Sequence, residues 1–167
     1  VRQEVVAQQV RVHLAQERLA AAQMVLQGQG FSFRDPFSFP ELPPGHTDPA
    51  SSRKSVPHSP GLLYNSSLRV LLYQARSRRD PASLRSGIEL ANRLIEGALQ
   101  GQYLLVALEA LLLRAQIHAM LGDHPASQTD YASALELAEP EGFIGVFVEQ
   151  GQPVAEALAN LLKQSRL

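Results

Sequence analysis

The sequence predicts an all-α chain, built as a solenoid of antiparallel helix pairs with about seven helices and one long loop rich in proline and serine. Three observations predict it. Leucine (26) and alanine (21) dominate the 167 residues, and both are strong helix formers. Apolar residues recur at i, i+3, i+4 and i+7 through most of the chain. Seven of the eleven prolines fall between residues 36 and 60, and the other four stand near expected helix ends.

The first segment, 1–27, reads as two helices. Val6, Val10 and Leu14 keep the helical spacing, as do Leu19, Ala22 and Leu26, with a break near Gln16–Arg18, although the period alone also allows one long helix. Gly28 and Gly30 end it. Residues 29–60 are a loop inside the domain. Phe31, Phe33, Phe37 and Phe39 pin its first half to the helices, because exposing four phenylalanines is costly. The stretch Gly45–Ser59 has nothing to bury. From Leu62 the helical period returns, in Leu68, Leu71, Leu72 and Ala75. Arg79-Asp80-Pro81 breaks it, since proline starts a helix readily. Leu84, Ile88, Ala91 and Ile95 form the next stripe, with Gly97 and Gly101 bracketing its end.

A third pair runs from Leu104 through Leu108, Leu111, Leu112, Ala115 and Ala119, turns at Gly122–Pro125, and continues through Tyr131, Ala134, Leu135 and Ala138. Pro140 and Gly142 stop it. The apolar run Phe143–Val148 suits either a strand or a helix, and Val154, Leu158, Leu161 and Leu162 suggest a last helix. The two later turns are about 43 residues apart, against about 34 for a tetratricopeptide repeat. Gly122, Ser127, Tyr131 and Ala134 nevertheless fit that repeat's turn glycine, small residues and aromatic.

The charge is balanced, with 15 basic and 16 acidic residues for a net −1. That is no footprint for a phosphate backbone, so direct contact with nucleic acid is not expected. The absence of cysteine excludes disulfides, thiol nucleophiles and cysteine zinc sites. No apolar run reaches membrane-spanning length and no secretion signal is present, so the default location is cytoplasmic, without a membrane partner. The chain opens at Val1 inside an expected helix, which suggests an excised piece of a larger protein, 1–167 forming one domain of it.

No catalytic constellation is present. Lys54-Ser55 lacks the glycines of a phosphate-binding loop, Phe33 stands where a dinucleotide fingerprint after Gly28-Gln-Gly30 needs its third glycine, and no Gly-x-Ser-x-Gly elbow exists. His46 and His58 in the loop read as solvated residues, His118 as packed on its helix and His124 as exposed in a turn, so no metal site is expected. Glu139 and Glu141, flanking Pro140, read as structural or as contacts to a following domain. The arginines 76, 78, 79 and 85 have two readings: a solvated helix end, favoured by the helix dipole, or a surface for an anionic ligand or partner.

In a tetratricopeptide register the first helix of each pair faces the concave side. The inward residues are then Glu4, Gln8 and Arg11, next Arg69, Tyr73 and Arg76, and finally Glu109, Leu112 and Gln116. This polar lining with one aromatic suits a small polar effector or an extended peptide.

The segment ALELAEPEGFIGVFVEQG from Ala134 to Gly151, followed by Pro153 and Leu161-Leu162, resembles the end of the sensor domain in MalT-like regulators, the large LuxR-type, ATP-dependent transcription regulators of bacteria. LAQERLAAA from Leu14, LRVLLYQAR from Leu68 and IHAMLGD from Ile117 are similar to earlier helices of that domain. Gly145 stands where the family usually has arginine, and Glu17 where a turn glycine is common. The resemblance implies a sensor module whose effector or partner binding is coupled to an ATP-binding domain and a DNA-binding domain elsewhere in the parent, with no cofactor in this chain itself. Periodicity alone implies the alternative of a protein-binding scaffold, whose uncovered ends support a homodimer.

Overall fold

The computed structural model describes residues 2–42, 58–78 and 80–164. Among them the chain is all-α, with no strand. Eight helices follow in order: α1 (Gln3–Ala15), α2 (Leu19–Gln27), α3 (His58–Ser77), α4 (Pro81–Gln100), α5 (Leu104–Met120), α6 (His124–Ala138), α7 (Gly145–Glu149) and α8 (Gln152–Gln164). The expected count was about seven; the extra helix is α7, in the run whose local sequence allowed strand or helix. Successive helices α1 and α2, α3 and α4, and α5 and α6 pack as pairs. The first helices also touch in series, α1 on α3 and α3 on α5.

Two helix starts are built from side chains. Asp80 accepts a hydrogen bond from the Ala82 amide at 3.0 Å, with Pro81 in the first position of α4. A hydrogen bond from the Ser83 side chain, aided by backbone amides, holds the Asp80 carboxyl below the usual aspartate range. Asp123 caps α6 in the same manner, from the Ala126 amide at 3.1 Å.

Helix ends share one device, a left-handed residue followed by an amide that reaches back five residues. It closes α1 (Arg18 to His13, 2.8 Å), α2 (Phe31 to Leu26, 3.2 Å), α4 (Tyr103 to Ala98, 2.8 Å), α5 (Asp123 to His118, 2.9 Å) and α6 (Phe143 to Ala138, 3.3 Å). Glycine takes the left-handed position at Gly30, Gly122 and Gly142, but Glu17 (φ 56°) and Gln102 (φ 59°) take it without one. Gly97 does not end α4. It lies buried inside the helix, which runs on to Gln100.

The long loop is shorter at its far end than the expected span 29–60, because α3 already starts at His58. Most of the polar stretch 45–59, with His46, lies outside the described residues, as does Arg79. In the described half, Phe31, Phe33 and Phe37 are buried and Phe39 packs against them. An isolated bridge joins Ser32 and Ser38, and the Asp35–Pro36 peptide is cis. The Tyr64 hydroxyl is within 2.9 Å of both the Pro40 and Glu41 carbonyls, tying the loop to α3.

The core runs along the pair interfaces. Leu26, Leu68, Leu90, Leu94, Leu108, Leu112, Leu113 and Ile117 are fully enclosed. Close helix approach depends on glycine at two points. A Cβ at Gly61 would stand 2.6 Å from Val106 Cγ1, and one at Gly87 would stand 2.6 Å from Leu71 Cδ2. No helix of the described residues is long and apolar enough to cross a membrane.

The left-handed turn at Glu17 generates a prediction. A side chain there costs about 1–2 kcal/mol, and glycine gives back part of that gain through a freer unfolded chain. Glu17→Gly is expected to raise stability by about 0.5–1 kcal/mol, read as a higher denaturant midpoint. An unchanged or lower midpoint would show that the turn carries no strain.

Candidate functional site

The first helices α1, α3 and α5 bring polar side chains to one side of the molecule, centred on Glu109. This glutamate is 4% exposed, on the mid-part of α5. A buried carboxylate is tolerated only when it is paired and hydrogen-bonded. Arg69 of α3 donates through Nε at 2.8 Å and again through Nη2. Arg11 of α1 donates at 3.0 Å. Asn65, one turn before Arg69, donates through Nδ2 to the second carboxylate oxygen at 3.2 Å and to the Val106 carbonyl at 3.1 Å.

The arginines then reach α7 and the residue that follows it. Arg11 pairs with Glu149 at 3.1 Å, and Arg69 approaches Gln150 Oε1 at 3.5 Å. Gln116, two turns along α5 from Glu109, donates to the Leu112 carbonyl at 3.2 Å and to Gln150 Oε1 at 3.4 Å. Gln150 is 9% exposed, and its Nε2 has no hydrogen-bond partner among the described residues.

Beside this network lie three hollows. One of about 170 Å³ is lined by Arg69, Tyr73, Arg76, Gln116, Glu149 and Gln150 together with Leu14, Leu72 and Leu113. A larger one of about 370 Å³ shares Leu72, Arg76 and Gln116 and extends over Met120, Tyr131, Pro153, Ala157 and Asn160. The third, of about 360 Å³, lies at Arg11, Leu14, Ala15, Arg69 and Glu149. The Arg76 guanidinium sits 5.8 Å from the centroid of the Tyr73 ring.

Of the nine positions expected to line a groove, Arg11, Arg69 and Glu109 meet in the ion network, and Arg69, Tyr73, Arg76 and Gln116 line one hollow. Glu4 accepts from Ser59 at 2.8 Å and, like Gln8, is exposed; both lie outside these hollows. Leu112 is a correction. It is 0% exposed and belongs to the core, because the inward arc of α5 is narrower at mid-helix than a fixed register supposes. Glu149 and Gln150 were missed. They lie outside the repeating pairs, so no helix-pair register places them.

The expected non-ligand histidines fall in three settings. His118 stands 3.8 Å from Asp123 and 3.9 Å from Asp130, too far for a hydrogen bond. His124 is exposed at the rim of the larger hollow, and His58 lies 6.4 Å from the Tyr103 ring. No metal-competent cluster of three or more histidine or acidic side chains occurs among the described residues. Asp130 instead takes a two-point contact from Arg114, whose Nε lies at 2.8 Å and which also donates to Asn92 at 2.7 Å. Burial pushes the Tyr131 hydroxyl up to about 12, and the adjacent Asp130 charge adds to it. Burial does the same for Tyr64, aided by Glu41.

No family model matches the chain, and neither does any curated protein or solved structure.

Three substitutions test these environments. Glu109→Ala leaves Arg69 and Asn65 facing an empty buried site, and the loss is about 3 kcal/mol or more. Leu112→Ala costs about 2–5 kcal/mol as a core cavity. Both are read as denaturant midpoints; a Leu112→Ala protein of unchanged stability would return that residue to the surface. The tyrosines set the alkaline limit. Their folded pKa values are raised, so their contribution is whole below the unfolded value of 10.0 and is lost as pH rises toward about 12. Stability is expected to fall across that window, and to fall less steeply in Tyr131→Phe.

Proposed function

We propose that this chain is a regulatory sensor module, a solenoid of tetratricopeptide-like helix pairs that binds an effector and passes the signal to other domains of a MalT-like, LuxR-type regulator in the bacterial cytoplasm. The observation that carries this reading is the convergence of Arg69, Tyr73, Arg76 and Gln116, from two successive first helices, on one open hollow. Stacked pairs whose first helices touch in series support the solenoid, since such stacks present their first helices on one face. The resemblance of 134–151 to the end of the family's sensor domain supports the regulatory role. The ATP-binding and DNA-binding domains belong to the rest of that regulator, so this module acts without catalysis and without touching nucleic acid. An effector shifts the parent between states only by binding them unequally.

A protein-binding scaffold is the second reading, and one feature favours it. Ile144 and Val148 of the α7 region are each 73% exposed. Ile144 lines an apolar hollow of about 380 Å³ together with Leu135, Phe143, Phe147 and Leu158. A covering partner or a second copy would bury these side chains.

A thermal-shift screen separates the readings. Sugars, nucleotides, amino acids, organic acids and short peptides are each added to the chain. The sensor reading expects at least one small molecule to stabilise it, by about 2.7 kcal/mol at a hundredfold excess over Kd. Stabilisation by peptides alone would replace the sensor with the scaffold.

A further inference from the structure

The charges around the inner face do not cancel. Arg11, Arg69 and Arg76 face Glu109 and Glu149, and the first two arginines engage both carboxylates. Arg76 has no carboxylate partner among the described residues; its guanidinium lies over the Tyr73 ring. It is exposed at the last turn of α3, and its guanidinium can only donate.

Gln150 supplies a second, oriented donor. Its Oε1 must face Arg69, which has no acceptor, and it also meets Gln116 Nε2, whose own orientation is fixed by the Leu112 carbonyl. Nε2 is therefore the free end of a side chain that is nine-tenths buried, and it has no partner. A buried donor left without an acceptor is uncommon in folded proteins and calls for a ligand or water.

Arg76 and Gln150 line the same hollow of about 170 Å³. That space suits a carboxylate or phosphate group but not a whole drug-sized molecule. The acidic side chain on its wall, Glu149, is occupied by Arg11 at 3.1 Å. The adjoining hollow of about 370 Å³ shares Arg76 and offers Met120, Tyr131, Pro153 and Ala157 as apolar or aromatic wall.

We propose that this cleft between α3, α5 and the end of α7 binds a small organic anion. Arg76 holds its carboxylate or phosphate head, Gln150 Nε2, which lies just beneath the wall of the smaller hollow, turns to meet it, and its apolar body lies in the larger hollow. The assignment deepens the sensor reading and rests on it for the meaning of the signal. The arginine is the charge partner and the amide gives direction, a pairing that neutral ligands cannot use fully.

The test is calorimetric titration of the full chain with hexanoate, hexyl phosphate, inorganic phosphate and, as the uncharged control, hexanol. Saturable binding of hexanoate or hexyl phosphate is expected, with hexanol at least tenfold weaker. Which of the two binds tighter tells a carboxylate head from a phosphate head, and inorganic phosphate reports the head without a body. Arg76→Gln removes no ion pair of the fold and is expected to weaken the anion at least tenfold. Gln150→Glu places a carboxylate beside Arg69; it is expected to raise Tm and abolish anion binding. The proposal is overturned if no anion binds, if hexanol binds as well as hexanoate, or if Arg76→Gln binds unchanged. Stabilisation by neutral molecules without anion binding would sink the anion site and leave the sensor reading intact. A blank for every small molecule would sink both.

Discussion

The Glu109 carboxylate is the constraint around which the three pairs are arranged. Its burial is unfavourable by itself, and the donors that make it tolerable come from other helices: Arg11 from α1, Arg69 and Asn65 from α3. Each must arrive at hydrogen-bonding distance to offset the cost of burying the carboxylate. The first helices of the pairs are thus fixed relative to one another by one anion, in addition to their apolar packing. A well-packed apolar group in its place would hold α5 to α3 but would give Arg11 of α1 no partner on α5. Arg11 bridges Glu109 to Glu149, so the same charge also ties α7 into the structure.

Apolar packing sets the rest. Large side chains fill the pair interfaces, and the helices approach most closely where a side chain is missing. Gly61 lies against the β-branched Val106, which has little freedom to move aside, so the Val106 side chain of α5 rests there on the backbone of α3. The four phenylalanines close one side of α3 and α4. Phe37 donates its amide to Ser83 at 3.2 Å, and Arg93 lies 5.8 Å from the Phe39 ring centroid. At the other end the attachment is thinner. α7 has no buried residue, and Val154 is the fully enclosed side chain of the α7–α8 region. Stability in a helical stack is local, so an end with little burial opens at lower cost than the middle.

Much of this was legible in the sequence, for identifiable reasons. Helix pairs showed through the 3.6-residue period, and the turns through Asp80-Pro81 and Asp123-His124-Pro125, because proline and aspartate act within one turn of the chain. The break at Gln16–Arg18 was only half legible, because the apolar period also fits one long helix and Glu17 is not the glycine that usually marks a left-handed turn. Gly97 and Gly101 were legible as a bracket around the end of α4, which falls between them at Gln100. The start of α3 at His58 was hidden by the flanking prolines and by polar residues without an apolar stripe. The site was legible only where helices repeat. A fixed register brought out Arg11, Arg69, Tyr73, Arg76, Glu109 and Gln116, but it also put Leu112 in the lining, because rotation of one residue along α5 separates the polar arc from the core. Glu149 and Gln150 obey no repeat, and their role depends on where a non-repeating helix folds back.

That fold-back sets the proposed site against α7. Gln150 spans Arg69 of α3 and Gln116 of α5 through one oxygen, at distances that are long for hydrogen bonds. Its second polar atom is unspent. An anion accepted there would contact the inner helices and the end of α7 together, adding an attachment at the least anchored part of the structure. A ligand stabilises the conformation in which all its contacts exist at once and leaves others unchanged. The position of α7 and α8 would then respond to the ligand, while the Glu109 carboxylate, both of whose oxygens already accept hydrogen bonds, holds the three pairs in place. A sensor needs both parts. Without a rigid frame the binding energy is dissipated over the whole molecule, and without a loosely held element there is no second state for it to select.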